Sequence, residues 1–241
     1  MTTPRITRIP ILPLNMVNAH LVHGPRGCIL VDAGLPGSEA QIGRALSRNG
    51  LSFGDIKLIV ITHAHVDHAG AGHALRELSR APIVAHVADA EHFSREVPMT
   101  FCPTGWAGRL FRKTSVPHTP YRSFTPDILL SGDDILDLAR YGIAGNVRQT
   151  PGHTRGSISV ELSGKHALVG DLVASGILLG GIMRNGRAIR PPFEDDPHAV
   201  GVALQCLLAN GAEMFHMGHG GPLPASAVRR HAARLLSMHC A

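Results

Sequence analysis

The chain has 241 residues, 44% of them hydrophobic and 17% charged, with a net charge of +5. That length fits one large domain or two small ones, and so low a charged share excludes a disordered chain. Lys and Arg are scattered, with no basic stripe and no nucleic-acid motif. This argues against a nucleic-acid partner and leaves a mildly basic surface suited to an anionic small molecule.

Val17 to Val22 and Cys28 to Val31 read as strands around the turn Gly24-Pro25-Arg26-Gly27, and Asp32-Ala33-Gly34 closes the second. Ser38 is expected to cap a helix that runs to about Asn49 and stops at Gly50. Ile56 to Thr62 is the next strand. Helices are expected over Gly72 to Arg80 and Ala88 to Val97, with the strand Pro82 to His86 between them. From Pro98 to Pro126 the periodicity is lost, although Phe101, Trp106, Phe111 and Tyr121 lie there. A long irregular segment with apolar anchors reads as a lid or pocket wall, so residues 98–126 are taken as such an insertion.

The second half repeats the theme. Asp134 to Leu138, Asn146 to Gln149, Ser157 to Leu162 and His166 to Val169 read as strands, the last two joined by the turn Ser163-Gly164-Lys165. Pro197 to Ala209 is expected to be a helix ended by Asn210-Gly211. A short strand Glu213 to His216 and a helix Ala225 to Met238 follow. No low-complexity linker separates the halves, so residues 1–241 are read as a single domain of two similar layers. None of Cys28, Cys102, Cys206 and Cys240 forms a C-x-x-C pair, and Cys28 and Cys206 read as core residues. Met1 to His20 has no signal-peptide pattern, and no stretch is long enough to span a membrane. The expectation is a soluble, cytoplasmic protein with no membrane partner; the oligomeric state is open.

Four residues of metal-ligating type crowd into His63-Ala64-His65-Val66-Asp67-His68, between a buried strand and a helix. His63 and His65 are two apart and point the same way on an extended segment, while Asp67 and His68 turn onto the helix start. One metal could take the first pair and a second metal the other. Each pair needs a further ligand, and His153, Asp171 and His219 offer themselves. They lie in Thr150-Pro151-Gly152-His153-Thr154, after Gly170, and in Gly218-His219-Gly220-Gly221.

Thr62-His63-Ala64-His65-Val66-Asp67-His68-Ala69-Gly70 resembles the signature of the metallo-β-lactamase fold superfamily. Val31-Asp32-Ala33-Gly34, Pro151-Gly152-His153-Thr154, Gly170-Asp171 and Gly218-His219-Gly220 match its other motifs in order. The resemblance implies an α/β fold, a four-layer αββα sandwich with its site at one edge. It implies that His63, His65 and His153 hold one metal, that Asp67, His68 and His219 hold another, and that Asp171 bridges. Asp32 would support the metal loop by hydrogen bonding. The cofactor expected is two zinc ions, with one iron or another divalent metal as the alternative. A metal-bridging hydroxide, ionised near pH 7, would attack a small ester, thioester, lactone or amide, with Asp67 orienting it and passing a proton.

Asp171 is a residue that the likeness places in the glyoxalase II and lactonase branches, where true metallo-β-lactamases usually differ. Weak β-lactam hydrolysis is one alternative. The helical C-terminal domain of glyoxalase II has no counterpart after His219, and Ala174 stands where acyl-homoserine lactonases commonly carry Tyr. RNA-processing members need an extra arm that is not found, and flavodiiron members have Glu in place of His65. A mononuclear iron persulfide dioxygenase shares the motif, but its Gly-Arg-Thr-Asp stretch is missing from Leu172 to Gly181. A non-catalytic binding protein is the remaining alternative. Substrate choice would rest on residues 98–126 and 176–192.

Plainer roles are expected elsewhere. His86 reads as structural, and His73, His92, His198, His231 and His239 as surface or packing residues. His118 reads as solvent-exposed, His216 as a neighbour of His219, and Asp133-Asp134 as a turn. Glu194-Asp195-Asp196 reads as a solvated helix N-terminus.

Overall fold

The computed structural model describes residues 5–95, 97–177 and 183–238. His239, Cys240 and residues 178–182 of the 176–192 stretch lie outside the described residues. In chain order the first half contains β1 (Ile6–Pro10), β2 (Asn18–Gly24), β3 (Gly27–Val31), α1 (Glu39–Arg48), β4 (Ile56–Val60) and α2 (Val66–Ala69). It continues with α3 (Gly72–Ser79), β5 (Ile83–His86), α4 (Ala90–Ser94), α5 (Gly105–Arg112) and β6 (Ile128–Leu130). The second half contains β7 (Ile135–Asp137), β8 (Gly145–Gln149), β9 (Ile158–Leu162), β10 (His166–Leu168), β11 (Ala174–Ser175) and β12 (Ala188–Ile189). It ends with α6 (Pro197–Ala209), β13 (Met214–His216), β14 (Leu223–Pro224) and α7 (Ala225–Leu236).

Two six-stranded sheets result, ordered β1-β2-β3-β4-β5-β6 and β14-β13-β10-β9-β8-β7. Strands β3 to β6 run parallel, as do β10 and β13. Parallel strands are buried on both faces and so read as continuous apolar runs. The period of two explains where each side chain goes. In β3, Ile29 and Val31 join an inter-sheet core with Leu58, Val60, Val147 and Val160. Cys28 and Leu30, on the opposite face, pack with Ile42, Leu46 and Leu75 of α1 and α3. The second sheet does the same: Leu168 enters the inter-sheet core, while Ala167 faces Leu204 and Val228 of α6 and α7. Helix, sheet, sheet, helix is the expected four-layer sandwich.

Several expectations need correction. Ser38 has helical backbone angles and makes no side-chain cap. Helix α4 is five residues long, ended by Arg95 in the left-handed region, shorter than Ala88 to Val97. The aperiodic stretch holds α5, an eight-residue helix that exposes Trp106 and Leu110 and half-buries Phe111, too short for its spacing to establish a helical period. Cys206 is exposed. Glu194 is buried at 3% exposure, although Asp195 and Asp196 are exposed and Asp196 caps α6 by accepting from Ala199 N. The sequence predicts none of β1, β6, β11, β12 and β14. Pro10 ends β1 at the sheet edge, the position where a residue without N–H costs no ladder bond.

Candidate metal centre

Every candidate ligand, and Asp32 beside them, lies where a strand ends at the same edge of the sandwich. Asp32 follows β3, the 63–68 loop follows β4, Asp171 follows β10, His219 follows β13, and His153 turns between β8 and β9. The carboxyl ends of parallel strands commonly carry a site of this kind. Both sheets contribute, and they are tied across the gap: Ile158 N donates to Thr62 O at 2.9 Å and Asn18 N to Gly218 O at 2.8 Å.

All seven side chains converge. His63 Nε2 lies 3.1 Å from His65 Nδ1, and His153 Nε2 lies 3.1 Å and 3.0 Å from the same two atoms. Three ring nitrogens cannot all be hydrogen-bonded to one another, because each is either a donor or an acceptor and at least two must share a role. One cation accepting all three lone pairs resolves the conflict. Tetrahedral coordination at zinc–nitrogen distances would set the nitrogens ~3.3 Å apart. Around the second position, His219 Nε2 lies 3.3 Å from Asp67 Oδ2 and 2.9 Å from Asp171 Oδ2. His68 Nε2 faces Asp171 Oδ1 at 3.3 Å without hydrogen-bond alignment, and both atoms are fully buried. Asp171 Oδ2 also reaches to 3.8 Å from His153 Nε2, so its carboxylate stands between the two groups. Either set, His63–His65–His153 or Asp67–His68–His219, could hold a metal ion, as could His63–His68–Asp171.

The outer partners fix which nitrogen faces inward. A carboxylate only accepts, so His68 Nδ1 must donate to Asp32 Oδ2, 2.9 Å away, leaving Nε2 for the site. Asp32 Oδ1 accepts from Thr62 N and Thr62 Oγ1 at 2.8 and 2.9 Å. With its one proton committed, Thr62 Oγ1 accepts from His63 Nδ1 at 3.0 Å. Likewise the carbonyl of Met16 accepts from His219 Nδ1. Asp32 thus hydrogen-bonds both Thr62 and His68 from a left-handed backbone conformation with φ of 65°. Gly218 has no room for a side chain: a Cβ there would lie 2.3 Å from His68 Cε1 and 2.5 Å from Asp171 Oδ1.

The electrostatics divide the cluster. Burial pushes His63 and His65 well below the ordinary histidine range and His153 down to about 4, so all three are neutral donors of lone pairs. Burial opposes charge on His68 and His219 as well. There it is outweighed by Asp171, Asp32 and Asp67 at His68, held well above its usual value, and by Asp171 and Asp67 at His219, raised to about 10. Burial would raise Asp171, but His219 and His68 hold it well below the carboxylate range. Protons on these two imidazoles would balance the carboxylates of Asp171 and Asp67, a balance that a divalent cation could supply instead.

Residues outside the motifs complete the centre. Asp89 is buried; its Oδ2 accepts from Ala64 N at 3.1 Å and Thr154 Oγ1 at 2.9 Å, and its Oδ1 accepts from Gly156 N at 2.9 Å. One carboxylate staples the His63–His65 loop to the His153 turn. Asn18 is fully buried and donates to the carbonyls of Gly218 and Gly220 at 3.2 and 3.1 Å, fixing the loop that carries His219. A lone Asp in Ala88-Asp89-Ala90 looks like a helix-start acid, and only its contacts distinguish it. Of the other histidines, His86 is buried and its Nδ1 accepts from Ala88 N. His231 is buried in packing, His198 is exposed, and His73 and His92 are partly buried. His216 shares a hydrogen bond with His166. His118 is exposed, its ring edge-on to Phe101. The turn reading of Asp134 holds, its carboxylate accepting from Ser131 N.

Residues 12–219 match the model of the metallo-beta-lactamase superfamily, and the chain belongs to that superfamily. MJ0888 of Methanocaldococcus jannaschii, described as a probable metallo-hydrolase, is 29% identical over 143 residues, 59% of this chain and 61% of that protein. The match therefore spans less than two thirds of that relative's length. YqgX of Bacillus subtilis, also described as a probable metallo-hydrolase, is 29% identical over 179 residues, 73% of each chain. Among solved structures, the metallo-beta-lactamase family protein TTHA1429 of Thermus thermophilus superposes with a TM-score of 0.68 at 26% identity, covering 96% of this chain and 78% of that one. Membership and these relatives support a metal-binding hydrolase. No described helix is long and apolar enough to cross a membrane.

Proposed function

We propose that this protein is a dinuclear, zinc-dependent hydrolase of a small ester, thioester, lactone or amide. The observation that carries the reading is the triangle of His63, His65 and His153 nitrogens, 3.0–3.1 Å on each side, beside the group Asp67–His68–His219, with Asp171 Oδ2 2.9 Å from His219 Nε2 and 3.8 Å from His153 Nε2. His63, His65 and His153 would hold one ion and Asp67, His68 and His219 the other, with Asp171 shared. Bound there, divalent cations would supply Lewis acidity and a water ionised near neutral pH.

The chain's own residues do the rest. Asp67, whose side chain is 25% exposed, lines the cleft, within reach of both His219 and an incoming substrate. Its carboxylate is placed to orient a water and carry a proton toward the leaving group. The buried imidazoles exclude bulk water from the floor. No Ser or Cys nucleophile is required.

Metal quantification paired with a panel of thioesters, lactones, β-lactams and phosphodiesters tests the reading. Two zinc ions per chain and loss of at least ~100-fold of the activity found in His65→Ala are expected. Unchanged hydrolysis in that variant defeats the proposal. One iron with oxygen uptake on a persulfide would replace it with the dioxygenase alternative.

A further inference from the structure

Above the centre lies a cleft of about 160 Å³ whose only polar lining side chains, among the described residues, are His65, Asp67, His153, Asp171 and His219, all at the floor. Its walls are apolar. Leu12, Met16 and Leu35 face Phe101, Phe111 and Phe193. No Lys or Arg lines it, so the chain's excess of positive charge lies elsewhere and the expected anionic substrate finds no counter-charge among the described residues.

The aromatic wall is built, not incidental. Phe101 stacks on His65 with ring centroids 5.0 Å apart and tilts against Phe193 at 4.8 Å, while Phe111 stacks on Phe193 at 5.6 Å. The two segments that carry these rings are strapped by Thr104 N donating to Pro192 O at 2.7 Å and Glu194 N donating to Cys102 O at 2.9 Å. Gly108 of α5 lies so close that a Cβ would sit 2.3 Å from Pro192 O. Buried beneath them, Glu194 pairs with Arg190 at the segment's base.

We propose that the cleft is an acyl pocket for a neutral, unbranched or aryl acyl group of about six carbons, with the scissile carbonyl as its only polar group. This rests on the hydrolase reading and specifies its substrate class. The size follows from an apolar cavity of about 150 Å³ being enough for benzene. The neutrality follows from the walls: a carboxylate on the acyl chain would lose its water and gain no partner. In the reaction, water adds its oxygen to the acyl carbon, the bond from that carbon to the leaving sulfur or oxygen breaks, and the thiol or alcohol leaves with one proton.

A matched pair of metal-binding ligands separates substrate class from turnover. Calorimetry of the metal-replete protein should show hexanohydroxamate binding at least ~100-fold tighter than adipic monohydroxamate, and the hexanoyl thioester should be hydrolysed in preference to the adipoyl one by a similar ratio. Val116 lines the cleft mouth and is 51% exposed, so Val116→Arg can be made without disturbing the core. It should narrow the gap at least ~10-fold by giving the carboxylate a partner. Phe111→Arg is the deeper version, read only if its thermal melt and metal content match the parent. Equal or tighter binding of the adipic ligand, or no binding of either, overturns the pocket. Selective binding of hexanohydroxamate with no turnover across the panel would sink the hydrolase reading and leave the pocket standing.

Discussion

Asp89 shows how much one side chain outside the motifs can carry. Its carboxylate satisfies Ala64 N, Thr154 Oγ1 and Gly156 N, two of them backbone donors on the two ligand loops. Asp89→Ala would leave those buried donors unpaired, and each orphan costs about 1–3 kcal/mol. The expected outcome is destabilisation of about 3 kcal/mol in urea melts and lower metal content. Asp89→Asn should fall between, since one amide oxygen can still accept. A full metal complement in Asp89→Ala would show that the staple does not position the loops. The cluster itself is legible in the sequence, because His63, His65, Asp67 and His68 sit together and His153, Asp171 and His219 each sit beside glycine. Asp89, Asn18 and Glu194 are not. Each is a common polar residue whose role depends on partners that are remote in the chain.

At the level of elements, what could be read from periodicity was the set with one buried face. The parallel strands β3, β4 and β5 announced themselves as apolar runs, and α1, α3 and α7 by their stripes. Helix α5 is not legible because its eight residues, two of them glycine, give little more than two turns of pattern, and β6 because three residues carry no pattern. The loop after β13 makes a sharp test of the geometry. Gly218→Ala would force a methyl group into His68 and Asp171. The fold, which rests on three other cores, should survive with its circular dichroism unchanged, while bound metal falls by at least ~10-fold. Helix α7 offers a pH test. His231 is buried, its Nδ1 is 2.9 Å from Arg234, and burial, then Arg234, pushes it down to about 4. The folded state keeps it neutral while the unfolded chain takes up a proton below about 6.5. Its contribution is therefore present above pH 6.5 and lost as pH falls from 6.5 to 4. In His231→Leu that acid-side loss should shrink by up to about 3 kcal/mol, read from urea melts at the two pH values. Parallel curves for parent and variant would refute the assignment.

Across the whole molecule, the four layers and the edge site follow from two sheets whose inner faces share one core. The second sheet could be foreseen from the repeat of strands followed by a helix, but not its order, in which β13 returns to lie beside β10. The ligand set joins both sheets, so an ion bound to it stabilises the sandwich as a unit. Ligand held at about 1,000 times its dissociation constant adds about 4 kcal/mol of apparent stability. Stripping metal with a chelator should therefore lower the melting temperature by several degrees and restore it on adding zinc; an unchanged melt would show that the centre does not bridge the layers.

The tie between Asn18 and the loop around Gly218 spans 200 positions of sequence. A ribosome emits the His63–His65 pair long before His219, so a growing polypeptide carries at most a partial cage that grips ions weakly. Full occupancy becomes possible only once residue 219 has emerged and folded back against the first strands. A cation bound there would thereby require both sheets, and products shortened before residue 219 would be left without it.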